Sequence, residues 1–332
     1  MTQWKLNYSA HGLEGTAGTS VAATFKHNGN ASLKIDDAII TPEFDYALGV
    51  LGGNVEGGFI ADTASTLTWE DTDFSAEDMI WLGNMAIKSV PGAASSFAFT
   101  FPSTSANTIK TFTFEAVTST QEYEFAYGFC ESFNIHGDVG ADNGRIMYNA
   151  ILRGRAATAS TATSSLGFLA NRQPLNINYS TIHFDSAGTA AGTASATSGF
   201  MRAFNLDVVT GWTVDASRFA DGRSAKDFSA LTFTDYQITG TIKAAFGSTA
   251  VTEIANARAG TPRIVSLKLN GTSSRLVEIK LPLIFTDTPE IGSGNDNGLH
   301  VVEFPFRAGY SRTSTAQAPE IAVTASASTT LS

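Results

Sequence analysis

A single cysteine, Cys130, in 332 residues rules out an intrachain disulfide framework and leaves the thiol as a small residue of a strand interior. Charge is also sparse: Asp, Glu, Lys and Arg make up 16% of the chain, and acids outnumber bases 31 to 21. The net charge of −10 argues against a nucleic-acid-binding surface, which needs clustered Lys and Arg to displace counterions. No apolar run approaches the ~20 residues of a membrane helix, so membrane insertion is not expected. The first residues lack the apolar segment of a secretory signal, and the sequons at Asn30, Asn178 and Asn270 are expected to stay idle. A glycine-rich phosphate loop and a nucleophile elbow are both missing. The five histidines, His11, His27, His136, His183 and His300, lie far apart and show no metal-ligand spacing. Glu70, Asp71, Asp73 and Asp78 form an acidic cluster without EF-hand spacing, which helix capping and solvation explain. The expectation is a protein that is not an enzyme and carries no cofactor or metal.

Gly, Thr, Ser and Ala are abundant instead, together with 23 Phe, a composition that reads as mainly β. The chain is organised around residues 125–155. Phe125, Tyr127, Phe129, Phe133 and Ile135 mark one strand, Asn143-Gly144 marks a turn, and Ile146, Tyr148, Ala150 and Leu152 mark a second strand ending at Arg153. The pattern returns: Asp142-Asn143-Gly144 precedes Arg153 as Asp296-Asn297-Gly298 precedes Arg307. Asn7-Tyr8-Ser9 recurs as Asn178-Tyr179-Ser180, and Ala17-Gly18-Thr19 as Ala187-Gly188-Thr189. Leu33, Ile35 and Asp36 match Phe204, Leu206 and Asp207, and Leu67-Thr68-Trp69 matches Leu231-Thr232-Phe233. Five echoes in one order predict an internal duplication.

The predicted units are 1–155 and 170–312, joined by a Thr/Ala/Ser linker over 156–169 and followed by a polar tail over 313–332, mobile or used in docking. Trp4, Leu6 and Tyr8 read as the first strand, and His11 to Thr24 as a loop. One helix is well signalled: Ser75 is a natural N-cap with Asp78 three residues on, Met79, Leu82 and Ala86 recur at helical spacing, and Pro91-Gly92 closes it. Thr249 to Ala259 reads as its counterpart. Leu231, Phe233, Ile238 and Ile242 read as one long strand, and Pro282 as an edge or bulge position.

Three landmarks in order carry a resemblance. They are Gly15-Thr16-Ala17-Gly18-Thr19-Ser20-Val21-Ala22-Ala23; Leu67-Thr68-Trp69 ahead of an acidic helix start; and Phe129-Cys130-Glu131-Ser132-Phe133-Asn134-Ile135 with Gly137, followed by a strand ending in Arg153-Gly154-Arg155. The chain thereby resembles the tail tube proteins of long-tailed, siphovirus-type phages. The resemblance implies two tandem β-sandwich or barrel domains, each with one flanking helix, whose sheets join neighbouring copies into a continuous β-barrel. A doubled unit implies a trimer that mimics a hexamer. It also implies a virion protein of the phage tail, assembled in the host cytoplasm. Its partners would be copies of itself stacked as a tube, a tape measure protein, a tail terminator and tail tip or baseplate proteins, with double-stranded DNA passing through unbound. Six units of about four strands, ~4.8 Å apart and tilted ~40°, enclose a bore near 40 Å, wider than a DNA duplex.

Within that reading, Asp36, Asp138, Asp207 and Glu278 are the expected acidic lining, repelling DNA phosphates. Glu43, Asp45, Tyr46, Val55 and Glu56, in the segment 43–58, are the expected contacts between stacked rings. The competing expectation is a carbohydrate-binding or adhesion β-sandwich of a tail tip, using exposed Trp4, Trp69, Trp81 or Trp212.

Overall fold

Alternating apolar side chains put most of the chain into antiparallel strands. The computed structural model describes residues 6–36, 38–40, 59–90, 95–169, 172–197, 199–214, 227–228, 230–271, 275–289, 294–296, 298–312 and 317–325. The first half holds β1 (Tyr8–Leu13), β2 (Phe25–Lys26), β3 (Asn30–Ile35), β4 (Ala38–Ile40), β5 (Phe59–Asp62), β6 (Ser65–Asp73), α1 (Ala76–Ala86), β7 (Ser96–Thr100), β8 (Phe112–Val117), β9 (Glu122–Asp138), β10 (Ile146–Gly154) and β11 (Thr158–Ala159). The second holds β12 (Thr181–Ser186), β13 (Met201–Val209), β14 (Trp212–Val214), β15 (Leu231–Phe233), β16 (Gln237–Ala245), α2 (Ser248–Arg258), β17 (Arg263–Asn270), β18 (Leu276–Phe285), β19 (Gly294–Asp296), β20 (Leu299–Ala308) and β21 (Glu320–Thr324). The fold is mainly β, as the composition predicts.

Seventeen strands form one hydrogen-bonded system; β4–β5 and β14–β15 are separate two-stranded ribbons. In the first half neighbours run β1-β8-β9-β10-β6-β3. In the second they run β12-β17-β18-β20-β16-β13. The halves meet where β13 pairs with β9, from Ala203 opposite Asp138 to Val209 opposite Ser132. The 17-residue β9 takes partners on two sides because it kinks: Tyr127 sits at φ 59°, a conformation that interrupts a regular ladder. Up to the kink β9 pairs with β8 and β11, the β8 ladder shifting register there to end at Gly128; beyond it, β9 pairs with β10 and β13.

The signalled helix is held by its expected cap. Ser75 Oγ accepts from the Asp78 N–H at 3.1 Å, and the Asp78 carboxylate accepts from the Ser75 N–H at 3.0 Å. Nearly every residue of α1 is buried, against β7 and β9 of its own half and β18 and β21 of the other. Gly83 makes that depth possible, since a Cβ there would lie 2.6 Å from the Phe99 ring. Two ion pairs reach α1 from the second half. Arg275 Nε donates to Glu77 at 2.7 Å, both side chains almost fully buried, and Arg172 clasps Asp78.

Several expectations change. The first described strand is Tyr8–Leu13, covering part of the predicted loop; Trp4 lies outside the described residues. Leu231–Phe233 and Gln237–Ala245 are two strands in different sheets rather than one. Within the predicted linker, Thr158–Ala159 pairs with β9. Within the predicted tail, Glu320–Thr324 is a core strand between β18 and β7, with Ile321 and Val323 buried. Pro282 sits in register opposite Ile264; the gap where β21 ends and β20 begins, along β18, is where its missing N–H is tolerated.

Candidate assembly face

The strands β3-β6-β10-β9-β13-β16-β20 lie side by side, and at ~4.8 Å per strand they form a sheet over 30 Å wide. One side of it is core: Leu33, Leu67, Tyr148, Ile135, Leu206, Ile242 and Phe304 point inward and pack. The other side is open and short-chained. Its outward positions include Ser32, Thr66, Thr68, Asn149, Ser132, Asn134, Asn205, Thr239 and Thr241, all partly or largely exposed. Ile151 and Val209 are exposed aliphatic residues within it, at 39% and 46%, and Leu299 stands at the far end of β20 at 48%.

At the alternating outward positions four acids, Glu70, Asp138, Asp207 and Glu303, stand among four bases, Lys34, Arg153, Lys243 and Arg307. Four further carboxylates sit where the alternation breaks or ends, one of them Asp73, opposite Met147 and paired with Arg145 at 3.1 Å. Asp71, at φ 35° in a bulge, lies 4.0 Å from His136; Glu131 accepts from Arg153 at 3.2 Å; Asp36 accepts from Thr66 Oγ1 at 2.6 Å. The face is therefore mildly acidic. Partial burial pushes the Asp36 carboxyl up, but bonds from Lys34 and Thr66 outweigh it and hold the group below the usual carboxylate range.

The expected acidic lining is thus split. Asp138 and Asp207 share this face, opposite Ala203 and Asn134 in the joint between halves. Asp207 takes Asn134 Nδ2 and Asn205 Nδ2, each at 2.7 Å, while His136 Nδ1 bonds Asn134 Oδ1 at 2.7 Å. Asp36 stands at the rim. Glu278 does not belong: it lies in the part of β18 flanked by β17 and β21, where Ser266 donates to it and Lys268 and Lys280 neutralise it. Glu43, Asp45, Tyr46, Val55 and Glu56 lie outside the described residues.

Among the described residues the sheet has an unpaired edge at each end: β3 pairs with β6 alone, and Ile284, Phe285 and β19 pair with β20 alone. This was not readable from the sequence, because edges are defined by pairings between distant segments. Trp69, Trp81 and Trp212 are buried, so none of the three offers an exposed sugar-stacking surface. Sequence reading also missed that His11 and His27 converge on Trp69, with ring centroids 5.8 and 4.1 Å from it. No protein-family model matches the chain, and no curated protein matches its sequence.

Proposed function

We propose that this chain is a structural protein of a phage-type tail tube, whose copies close in threes into rings that stack around passing double-stranded DNA. One relation carries the reading. The two halves pair their strands in the same order, so β3 stands to the first half as β13 stands to the second, and β9 as β18 with β19. Inside the chain β13 already adds to β9. The two edges left over are the same pair of edges again: β3 of one copy, and the end of β18 with β19 of the next. Repeating the internal joint between copies turns the sheet through a constant angle, and a ring closes where six such joints, three within chains and three between them, complete one full turn.

Size supports three copies. The seven strands of the face, with the β18–β19 edge as an eighth, give roughly 24 in a ring of three, with a backbone diameter of about 48 Å and a bore near 40 Å after ~5 Å of side chain per wall. The open face would line that bore. Its short Ser, Thr and Asn side chains and mild negative excess offer phosphates no cluster of cations to hold.

Negative-stain microscopy of the purified chain, with sedimentation across a concentration series, tests this. Rings or tubes with a central hole are expected; a monomer persisting at the highest soluble concentration, with neither, overturns it. A double Asp138→Lys and Asp207→Lys variant should still assemble yet retain added duplex DNA at low salt, where the parent does not.

A further inference from the structure

The second half carries an open groove of about 880 Å³ where β16 begins and β18 and β20 end. Tyr236, Pro262, Ile284, Arg307, Tyr310 and Arg312 line it, and Ile284 and Tyr310 are each 41% exposed. Two such side chains at one groove make a candidate contact, and the corresponding place in the first half decides it.

The first half has the same place, and there it is covered. Phe129 stands opposite Arg153 between β9 and β10 as Ile284 stands opposite Arg307 between β18 and β20. Phe129 is fully buried, beneath a cluster that includes Trp212, Phe228, Leu231 and Phe233. The cover is the ribbon β14–β15 with Asp227 and Phe228, which lie between its two strands. Arg155 fastens it, donating to the Phe228 carbonyl at 3.2 Å and lying 3.6 Å from Asp227. So the middle of β9, just past its kink, is capped by the ribbon that connects β13, its neighbour across the joint, to β16.

The other two-stranded ribbon, β4–β5, occupies the corresponding stretch of the first half, connecting β3 to β6. Its register corresponds at two successive pairs: Ile39 with Ile60 as Trp212 with Phe233, and Ile40 with Phe59 as Thr213 with Thr232, at equal distances along the chain from Lys34 and Thr66 on one side and Asp207 and Thr239 on the other. The ribbon is also apolar, reading Ala38-Ile39-Ile40 and Phe59-Ile60-Ala61.

We infer that the groove around Ile284 receives the β4–β5 ribbon of a second copy of this chain. This rests on the reading that copies join β3 to β18 and β19, and it adds a contact that the edge pairing alone does not require. Apolar burial at this lateral contact would then supplement the backbone ladder, as it does within the chain.

Cysteine trapping tests it, against a quiet background because Cys130 is fully buried. Ile60→Cys and Ile284→Cys chains are mixed under assembling conditions and oxidised mildly, with Ile39→Cys as the alternative if Ile60→Cys does not fold. A disulfide-linked dimer should form in yield about tenfold above either variant alone, since the bridge requires the two Cβ atoms to approach within ~4.5 Å. A chain carrying both substitutions should give covalent species up to three chains. Rings seen by microscopy without these cross-links would overturn the docking site and leave the ring intact. No rings and no cross-links would remove both. As a second reading, Ile284→Glu should abolish rings while leaving the circular dichroism of the monomer unchanged; normal rings from that variant would also overturn the docking site.

Discussion

Lowering the pH from 7 towards 4 should destabilise the fold through His11. Its imidazole is buried inside a cage of aromatic rings, with Trp81 at 5.0 Å, Trp69 at 5.8 Å, Phe112 at 6.1 Å and Phe114 at 6.4 Å between centroids. Neither ring nitrogen has a hydrogen-bond partner among the described residues. Burial therefore lowers the pKa from 6.5 to about 4. The sign follows from which state takes the proton first. The unfolded chain binds it near pH 6.5 and the folded chain only near 4, so stability is complete above 6.5 and drains away as the pH falls between those values. The gap corresponds to about 3 kcal/mol, a large share of the 5–15 kcal/mol typical of a domain. Burial also pushes His27 well down, helped by His11 and by the Arg172 cation, and acts in the same direction. Asp78, whose carboxyl is pushed up by burial against the pull of Arg172 and Ser75, lines the same small cavity, so the total slope is not His11's alone. A difference isolates it. Urea titrations of the parent and of His11→Phe, at half-unit steps from pH 7 to 4, should diverge by about 1 kcal/mol per pH unit below 6.5. Circular dichroism at pH 7 checks that the variant folds. Parallel curves for the two proteins would refute the assignment.

Removing the Arg275 guanidinium should cost about 3–5 kcal/mol, because it strands the Glu77 carboxylate in the interior. Arg275→Leu alone should show this as a lower denaturation midpoint, and adding Glu77→Gln should recover part of it. Gly83→Ala should cost about 1–3 kcal/mol by forcing the Phe99 ring away from α1, read by the same titration. Cys130 should resist thiol reagents in the native state and react on unfolding, since burial raises its pKa, with the neighbouring Glu131 adding to the effect. Stoichiometric labelling of the folded chain at neutral pH would contradict its placement.

What the sequence reveals here is local. The capping box at Ser75 and Asp78 is legible because both partners lie within one helical turn, and the β class is legible because alternation is a property of neighbours. The strand Glu320–Thr324 is not: its buried Ile321 and Val323 sit in a small-residue composition that reads as tail, and its partners β18 and β7 are distant in the chain. Pairing Leu67–Trp69 with Leu231–Phe233 fails for a related reason. The first lies in β6 within the large sheet, the second in the ribbon β14–β15. By strand pairing, Leu67 opposite Leu33 corresponds to Gly240 opposite Leu206. A Cβ at Gly240 would lie 2.6 Å from the Phe306 ring, so the neighbouring phenylalanine fills that volume and the hydrophobic signal vanishes from the strand itself. The open face and its edges were beyond reach, because which strand stands next to which is decided by the whole topology.

On the proposed reading the joint between copies is a weakened version of the joint within one. The internal joint combines the β9–β13 ladder, the side-chain network of Asn134, Asn205 and Asp207, and the cover over Phe129. At the outer edge, Lys34 stands where Asp207 stands and Ser32 where Asn205 stands, judged by their partners Thr66 and Thr68 against Thr239 and Thr241. The amide–carboxylate network cannot form there. Lys34 on an edge strand also opposes indiscriminate strand addition, a device by which soluble proteins keep open edges from aggregating. An association that lacks the network and must overcome the entropy of bringing chains together should be concentration-dependent. Freshly purified chain should therefore sediment as a monomer at low micromolar concentration and assemble only when concentrated or seeded with preformed rings. Introducing Lys34→Asp, which restores an acceptor at the position Asp207 holds inside the chain, should lower the concentration at which assembly begins; an unchanged threshold would mean that the two joints are not built alike.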